Sequence, residues 1–244
     1  IGDLVRAINA TGGKVACSKG NDRPPLAIAA NGISGGRVKM NGSTSSQFAS
    51  ALLLAAPCMK QGLELELEPP IAAPSYIAMT IETMNAFGIR VRQRGAATFA
   101  VDPASQYAPT NFHVAGDMSG ANVFLAMAAV RGGRAKIVGV RGMSTDGEEG
   151  FADLLAAMGC SIQRSSDSIE LTGPASLQGI DVDMRDMPDS VQPLACAALF
   201  ARGTTTIRNI GNLRWKETDR IAALARELTR LGVEVEESDD ALRI

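Results

Sequence analysis

The sequence predicts an α/β (α+β) fold of repeated β-α-β-α-β-β units with buried, alanine-rich helices. Three stretches run in parallel: "GGRVKMNGSTSSQFASALLLAAPCMKQGLELELE" then "SYIAMTIETMNAFGIRVRQ"; "NFHVAGDMSGANVFLAMAAVRGGRAKIVGV" then "EEGFADLLAAMGCSIQRSSDSIEL"; and "IDVDMRDMPDSVQPLACAALFARGTTTIRNI" then "TDRIAALARELTRLGVEVEESDDALRI". Each reads as strand, polar turn, apolar helix, strand, loop, second helix and strand. The second helix ends each time at a glycine, Gly88, Gly159 and Gly232, at intervals of 71 and 73 residues. Glycine there suits a left-handed C-cap, and a period this long is a whole supersecondary unit rather than a solenoid turn.

Taken in order, residues 1–33 match the second half of a unit, with Gly12 standing 76 residues before Gly88. The chain is therefore expected to open in mid-repeat and to be truncated relative to a longer parent. The first helices of the three following units, "FASALLLAAP", "ANVFLAMAAV" and "VQPLACAALFA", are apolar nearly all round, which predicts burial on every side. Second helices such as "IAALARELTRLG" carry one charged face and are expected nearer solvent. The methionines and leucines of these helices read as core.

Composition excludes several classes of function. The chain has 244 residues, is 45% hydrophobic, and carries 24 basic against 26 acidic side chains with no basic block. That predicts a soluble globular protein with no footprint for nucleic acid or an anionic membrane, while small anionic ligands need only a local cluster. No apolar run reaches transmembrane length, and no signal peptide is visible. Cys17, Cys58, Cys160 and Cys196 form no C-x-x-C pair and read as packed thiols of a reducing cytoplasm. The single histidine, His113, argues against a histidine-based metal cluster and, more weakly, against a Ser–His hydrolase.

Three polar segments carry candidate chemistry. In "NGSTSSQ", Ser43, Thr44, Ser45, Ser46 and Gln47 lead straight into a buried helix. Hydroxyls and free N–H groups at a helix N-terminus suit an anion, whereas an ordinary N-cap needs one hydroxyl and not four. The equivalent turn of the last unit is "RDMPDSVQ", where Asp189 is either an N-cap or a carboxylate presented to a substrate. In "LRWKETDRIAA", a helix starting near Lys216 would put Lys216 and Arg220 one turn apart, with Glu217 three residues before Arg220. Two cations and a carboxylate there could bind an acidic substrate and move a proton; a capped, solvated helix start is the alternative.

"NGSTSSQF", the run from "RDMPDSVQ" through "GTTTIRNI" to "KETDR", and the repeat layout closely resemble the 5-enolpyruvylshikimate-3-phosphate synthase (3-phosphoshikimate 1-carboxyvinyltransferase) family across essentially the whole chain. The resemblance implies a two-domain enolpyruvyl transferase fold, an inside-out α/β barrel, of which this chain holds about three and a half of six units. It implies transfer of enolpyruvyl from phosphoenolpyruvate to the 5-hydroxyl of shikimate 3-phosphate with loss of phosphate, in aromatic amino-acid biosynthesis, with no metal or organic cofactor. By position, Ser45 and Ser46 would hold the shikimate phosphate, and Gln47 would reach both substrates. Tyr76, Asn212 and Lys216 match shikimate-phosphate contacts, and Asp189 matches the proton acceptor that also touches the shikimate ring. Glu217 matches the carboxylate handling the phosphoenolpyruvate methylene proton, and Arg220 matches a phosphoenolpyruvate ligand.

Departures from the family pattern are as informative. Ala73 stands where the family has a phosphate-contacting serine, and Ser75 is displaced by two. The amino-terminal lysine-serine and arginine motif, the N-x-G-T loop and its arginine, and the D-H-R-x-A-M segment with its late lysine are not among these residues. Missing clamps would weaken catalysis, so a remnant that binds only shikimate 3-phosphate or a partner chain is the competing expectation. The related UDP-N-acetylglucosamine enolpyruvyl transferase fits less well, since no cysteine stands in a polar loop like its reactive thiol. The domains are expected at 1–115 and 116–244, with a cleft bringing Ser45 and Ser46 opposite Asp189 and Lys216. Uncovered helix faces predict self-association, and glyphosate is expected to bind weakly, since most contacts to the phosphoenolpyruvate site are missing.

Overall fold

The computed structural model describes residues 1–29, 31–140 and 146–244. It divides into two compact units, Ile1–Phe112 and His113–Ile244.

The first unit opens with helix α1 (Gly2–Ala10) and the hairpin β1 (Val15–Cys17) and β2 (Leu26–Ile28). A complete repeat follows: β3 (Gly36–Asn41), α2 (Ser46–Ala55), β4 (Leu63–Glu68), α3 (Pro74–Ala86), β5 (Val91–Arg94) and β6 (Thr98–Val101). Its sheet has the order β3-β4-β6-β5, with β3 and β4 parallel and the other pairs antiparallel. Strand β4, "LELELE", turns Leu63, Leu65 and Leu67 into the core and its glutamates outward, as the two-residue period of a half-buried strand requires. On the open face Glu66 pairs with Lys39 and Arg37 of the neighbouring strand. The core gathers α2 (Ala49, Leu52, Leu53), the sheet, and Ile77 and Met84 of α3.

The second unit runs α4 (Met118–Arg131), β7 (Arg134–Val138), α5 (Phe151–Ala157), β8 (Ser161–Arg164) and β9 (Ser168–Thr172). It continues with β10 (Leu177–Gln178), β11 (Asp181–Asp183), α6 (Val191–Ala198), β12 (Ala201–Arg202), β13 (Thr206–Arg208), α7 (Arg220–Arg230), β14 (Glu236–Glu237) and β15 (Leu242–Arg243). The sheet β11-β13-β15-β14 repeats the order of the first unit, parallel pair included, and β7-β9-β8 repeats it without a first strand. The strand expected at "NFHV" does not form; residues 111–117 are irregular, and Gly116 N–H donates to the Gly139 carbonyl at 2.8 Å. Among the described residues the sheets stay separate and none closes into a barrel.

Gly12, Gly88, Gly159 and Gly232 all take positive φ, between 84° and 107°, which places the helix-ending glycines of the repeat in the backbone region that glycine enters without strain. Helix α7 buries Ile221, Ala225 and Leu228 and turns Arg226, Glu227 and Arg230 to solvent, as its pattern predicts. Burial of the first helices on every side does not hold. Val123, Phe124 and Met127 of α4, Leu54 of α2, and Phe200 beyond α6 are exposed, because the packing neighbours of these helices cover only part of their circumference. The expectation of packed cysteines is also corrected. Cys160 is buried, and its thiol is pushed up to about 11 by burial, but Cys58 and Cys196 are exposed. Cys196 sits on the same uncovered strip as Val123, Met127 and Phe200.

Candidate active site

Two turns occupy the same place in their repeats, between the first strand and the first helix, one in each unit. In the first unit, Gly42 begins the turn where a Cβ would come within 2.8 Å of the Glu68 carbonyl oxygen. Its N–H donates to that carbonyl, and its own carbonyl accepts from Ala72 N–H, both at 2.9 Å, which ties the turn to the start of α3. Ser43 donates its N–H and O–H to Asn41 Oδ1, and Thr44 Oγ1 donates to Asp3 Oδ2 at 2.8 Å. Those two hydroxyls shape the turn. Ser45 is the N-cap of α2, its Oγ accepting from Gln47 N–H at 3.2 Å, and Ser46 opens the helix. A capping oxygen accepts, so the Ser45 proton stays available to donate. Gln47 is exposed beside it. Of the four hydroxyls the sequence offers, Ser43 and Thr44 are engaged within the turn, Ser45 caps the helix, and Ser46 is buried.

Tyr76 is half-buried in the first turn of α3, its N–H bonded to the Ala73 carbonyl. Ala73 itself is buried in a left-handed conformation with φ 44°, which costs a non-glycine residue about 1 kcal/mol. No hydroxyl can reach out from that position.

In the second unit, Asp189 lies within the 3-10 turn Pro188–Ser190 that leads into α6. It is not the helix N-cap; that position belongs to Ser190. The Asp189 carboxylate instead accepts from Arg220 Nη1 at 2.8 Å. Arg220 also donates Nε and Nη2 to the two oxygens of Glu217, at 2.8 and 3.0 Å. One guanidinium thus holds two carboxylates, one three residues before it and one 31 residues before it. Glu217 is held below the usual carboxylate range chiefly by its hydrogen bonds from Arg220, and the Arg220 guanidinium is raised chiefly by Glu217. Among the described residues, three of the five guanidinium N–H donors are engaged.

The expected helical face through Lys216 and Arg220 is corrected. Helix α7 starts at Arg220, with Asp219 as N-cap accepting from Ala222 N–H at 3.0 Å. Lys216 ends the 3-10 turn Gly211–Trp215 in an extended conformation, so Lys216, Glu217 and Asp219 lie before the helix. An aspartate cap beats a lysine at this position because its short carboxylate satisfies an orphan N–H and suits the positive end of the helix dipole. Lys216 is half-buried and makes no ion pair among the described residues; Asn212 is half-buried in the same 3-10 turn.

Arg214 was not legible as a site residue, yet it fixes this loop. Its guanidinium donates to Asp219 Oδ2 (2.7 Å), Glu237 Oε1 (2.9 Å) and the carbonyls of Ser238 (2.6 Å) and Asp239 (2.9 Å). Asp219 therefore anchors the loop through Arg214 and caps α7. The buried trio Asn122, Glu148 and Ser190 was equally hidden: nothing in "TDGEEG" separates a buried glutamate from a solvated one. Among the described residues no three His, Cys, Asp or Glu side chains group to hold a metal, and no helix is long and apolar enough to cross a membrane.

Fold and clusters together define a repeat-built α/β protein with hydroxyl and charged groups at equivalent helix starts. The family model for EPSP synthase (3-phosphoshikimate 1-carboxyvinyltransferase) matches residues 1–244, and the chain belongs to that family. It is 43% identical to the 3-phosphoshikimate 1-carboxyvinyltransferase of Aliivibrio fischeri MJ11 over 246 residues, covering 100% of this chain and 57% of the relative. The corresponding Shewanella baltica OS185 protein is also 43% identical, over 245 residues with the same coverage. A solved EPSP synthase from Acinetobacter baumannii superposes with a TM-score of 0.74 at 23% identity, over 99% of this chain and 56% of that one, a likeness of fold. The chain thus spans little more than half the length of the curated relatives it matches.

Proposed function

We propose that the chain carries out, or supplies the shikimate-phosphate side of, 3-phosphoshikimate 1-carboxyvinyl transfer in the cytoplasm. The observation that carries this reading is the Asp189–Arg220–Glu217 cluster, two carboxylates on one cation beside Lys216. The hydroxyls of Ser45 and Ser46 and the side chain of Gln47 bind the phosphate of shikimate 3-phosphate, with Tyr76, Asn212 and Lys216 as further contacts. Asp189 takes the proton of the 5-hydroxyl as its oxygen bonds to C2 of phosphoenolpyruvate, while Glu217, having taken up a proton from the incoming phosphate group, gives it to the methylene carbon; the departing phosphate later takes the proton held by Asp189. In the reverse sense, loss of that proton to Glu217 expels phosphate from the tetrahedral intermediate and leaves the enolpyruvyl ether. Arg220 and Lys216 balance the charge of two acidic substrates. Arg220 also keeps Glu217 ionised at rest, the state that accepts a proton.

Trp215 is the single tryptophan, 71% exposed and adjacent to Lys216, so its fluorescence reports ligand at this loop. Titration with shikimate 3-phosphate is expected to give a saturable change that Asp189→Ala and Ser45→Ala weaken, followed by phosphate release when phosphoenolpyruvate is added. No saturable change and no release would sink the reading. Binding without release would favour a second one, a chain that only binds shikimate 3-phosphate.

Two further expectations attach to the same reading. Glyphosate inhibits poorly; half-inhibition at concentrations that stop full-length relatives contradicts this. The exposed strip of Val123, Phe124, Met127 and Phe200 drives self-association, and a clean monomer in sedimentation at micromolar concentration contradicts that.

A further inference from the structure

We propose that Glu148 is a positioning residue for Asp189, acting through the turn beneath it and not by touching substrate. The inference rests on the reading of Asp189 as a substrate-facing base. Glu148 is 2% exposed, in the 3-10 turn Gly147–Gly150 that precedes α5. One carboxylate oxygen, Oε1, accepts the backbone N–H of Asp189 at 3.2 Å; the other, Oε2, accepts the Ser190 hydroxyl. The two grips fall on consecutive residues of the turn that aims the Asp189 side chain at Arg220.

The direction of each hydrogen bond is fixed by its neighbours. Asn122 Nδ2 donates to the Glu148 carbonyl at 2.9 Å and to Ser190 Oγ at 2.8 Å, which engages both of its protons. Ser190 Oγ therefore already accepts, and its single proton goes to Glu148. Both carboxylate oxygens face donors, an arrangement a carboxylate satisfies and an amide cannot.

The internal repeat argues that starting the helix does not require this device. At the equivalent turn of the first unit, Ser45 caps α2 with its own hydroxyl, and the carboxylate that touches the turn, Asp3, holds Thr44 and leaves the cap alone. Ser190 occupies the same N-cap position but makes no side-chain cap bond, because its hydroxyl is held by Glu148 and Asn122. Burying a carboxylate carries a desolvation cost that a plain cap avoids. What Glu148 adds is a fixed orientation for the residue before the cap, and that residue is Asp189. The grip then passes from Asp189 to Arg220 and from Arg220 to Glu217.

The test uses the full chain with Glu148→Gln and Glu148→Asp, read three ways. The side-chain guanidinium NMR signals of Arg220, recorded without substrate, are expected to move in Glu148→Gln as Asp189 loses its hold. Phosphate release is expected to lose kcat by about tenfold or more, with KM for shikimate 3-phosphate changed less than about threefold, since small misplacements of a catalytic group cost rate before binding. Glu148→Asp restores part of the kcat loss. Unmoved Arg220 signals, or a kcat loss no larger than the lost fraction of folded protein explains, overturn the proposal. Should Glu148→Gln fail to fold, Ser190→Ala removes one grip and leaves the other, and the same signals are expected to shift by less; no shift overturns the proposal. If the wild-type chain neither binds shikimate 3-phosphate nor releases phosphate, the functional reading fails while the Arg220 signals still decide the positioning role.

Discussion

The turns before α2 and α6 begin from the same plan and end in opposite use. Each places a serine at the helix N-cap, Ser45 or Ser190, and a glutamine two residues on, Gln47 or Gln192. In the first, the serine oxygen caps the helix, its proton stays free to donate, and the glutamine is exposed. In the second, the serine is wholly buried and locked between Asn122 and Glu148, while the preceding Asp189 reaches Arg220. A repeated scaffold fixes where a helix starts; the partners brought in from elsewhere in the chain decide whether that start becomes a hydroxyl site or an aimed carboxylate.

The largest expected effect breaks the second turn's electrostatics. Arg220→Ala removes the cation shared by Asp189 and Glu217 and is expected to lower phosphate release by about 10²- to 10³-fold, the scale of losing one preorganised charged donor. Ser45→Ala leaves that cluster intact and is expected to weaken shikimate 3-phosphate binding with a smaller loss of kcat. Equal kinetic losses in the two variants would erase the division of labour between the turns. Stability should rank the serines in the other direction from exposure. Ser190→Ala leaves Asn122 and Glu148 short of a partner in the core and is expected to cost about 1–3 kcal/mol. Ser45→Ala loses an N-cap bond, about 1 kcal/mol. Urea unfolding of the two variants checks the order, and a costlier Ser45→Ala would contradict it.

Much of this scaffold was legible because it is local. Glycine at a helix end and a helix with one charged face are signals carried by a dozen residues, and they placed the helix-ending Gly88, Gly159 and Gly232 and the outward side of α7. The sites were legible only as residue types. Lys216 and Arg220 read as neighbours on one helical turn, yet the N-cap is Asp219 and Lys216 precedes the helix, because capping chemistry outweighs spacing where several polar residues compete. That Arg220 holds Asp189 across 31 residues, and that Glu148 grips Asp189 and Ser190 across 41 and 42, are products of packing that no short pattern encodes. Alanine-rich helices misled in the other direction: an all-round apolar pattern records what a helix tolerates, while the exposed Phe124 and Met127 record what its neighbours cover.

The smallest expected effect sharpens the comparison through pH. Glu217 is held below its ordinary value of 4.5 by Arg220, so its ion pair contributes stability that is present above the unfolded carboxylate pKa and is lost as pH falls through the lower folded one. Arg220→Gln returns the Glu217 carboxyl towards the ordinary range, and the variant should show a shallower acid-side fall in stability than the wild type below about pH 4.5. Glu217 is solvent-exposed, so the change is small and is weakened further by salt. Carboxyl-carbon NMR titration of Glu217 reads the midpoint directly, and its upward move in Arg220→Gln is the expected result. In Ser45→Ala the same midpoint should stay where it is, since the first turn holds its helix with a neutral hydroxyl and shares no charge with Glu217. A Glu217 midpoint that ignores Arg220 would mean that the two carboxylates are held by some other cation, and that the charged turn owes less to Arg220 than its three hydrogen bonds imply.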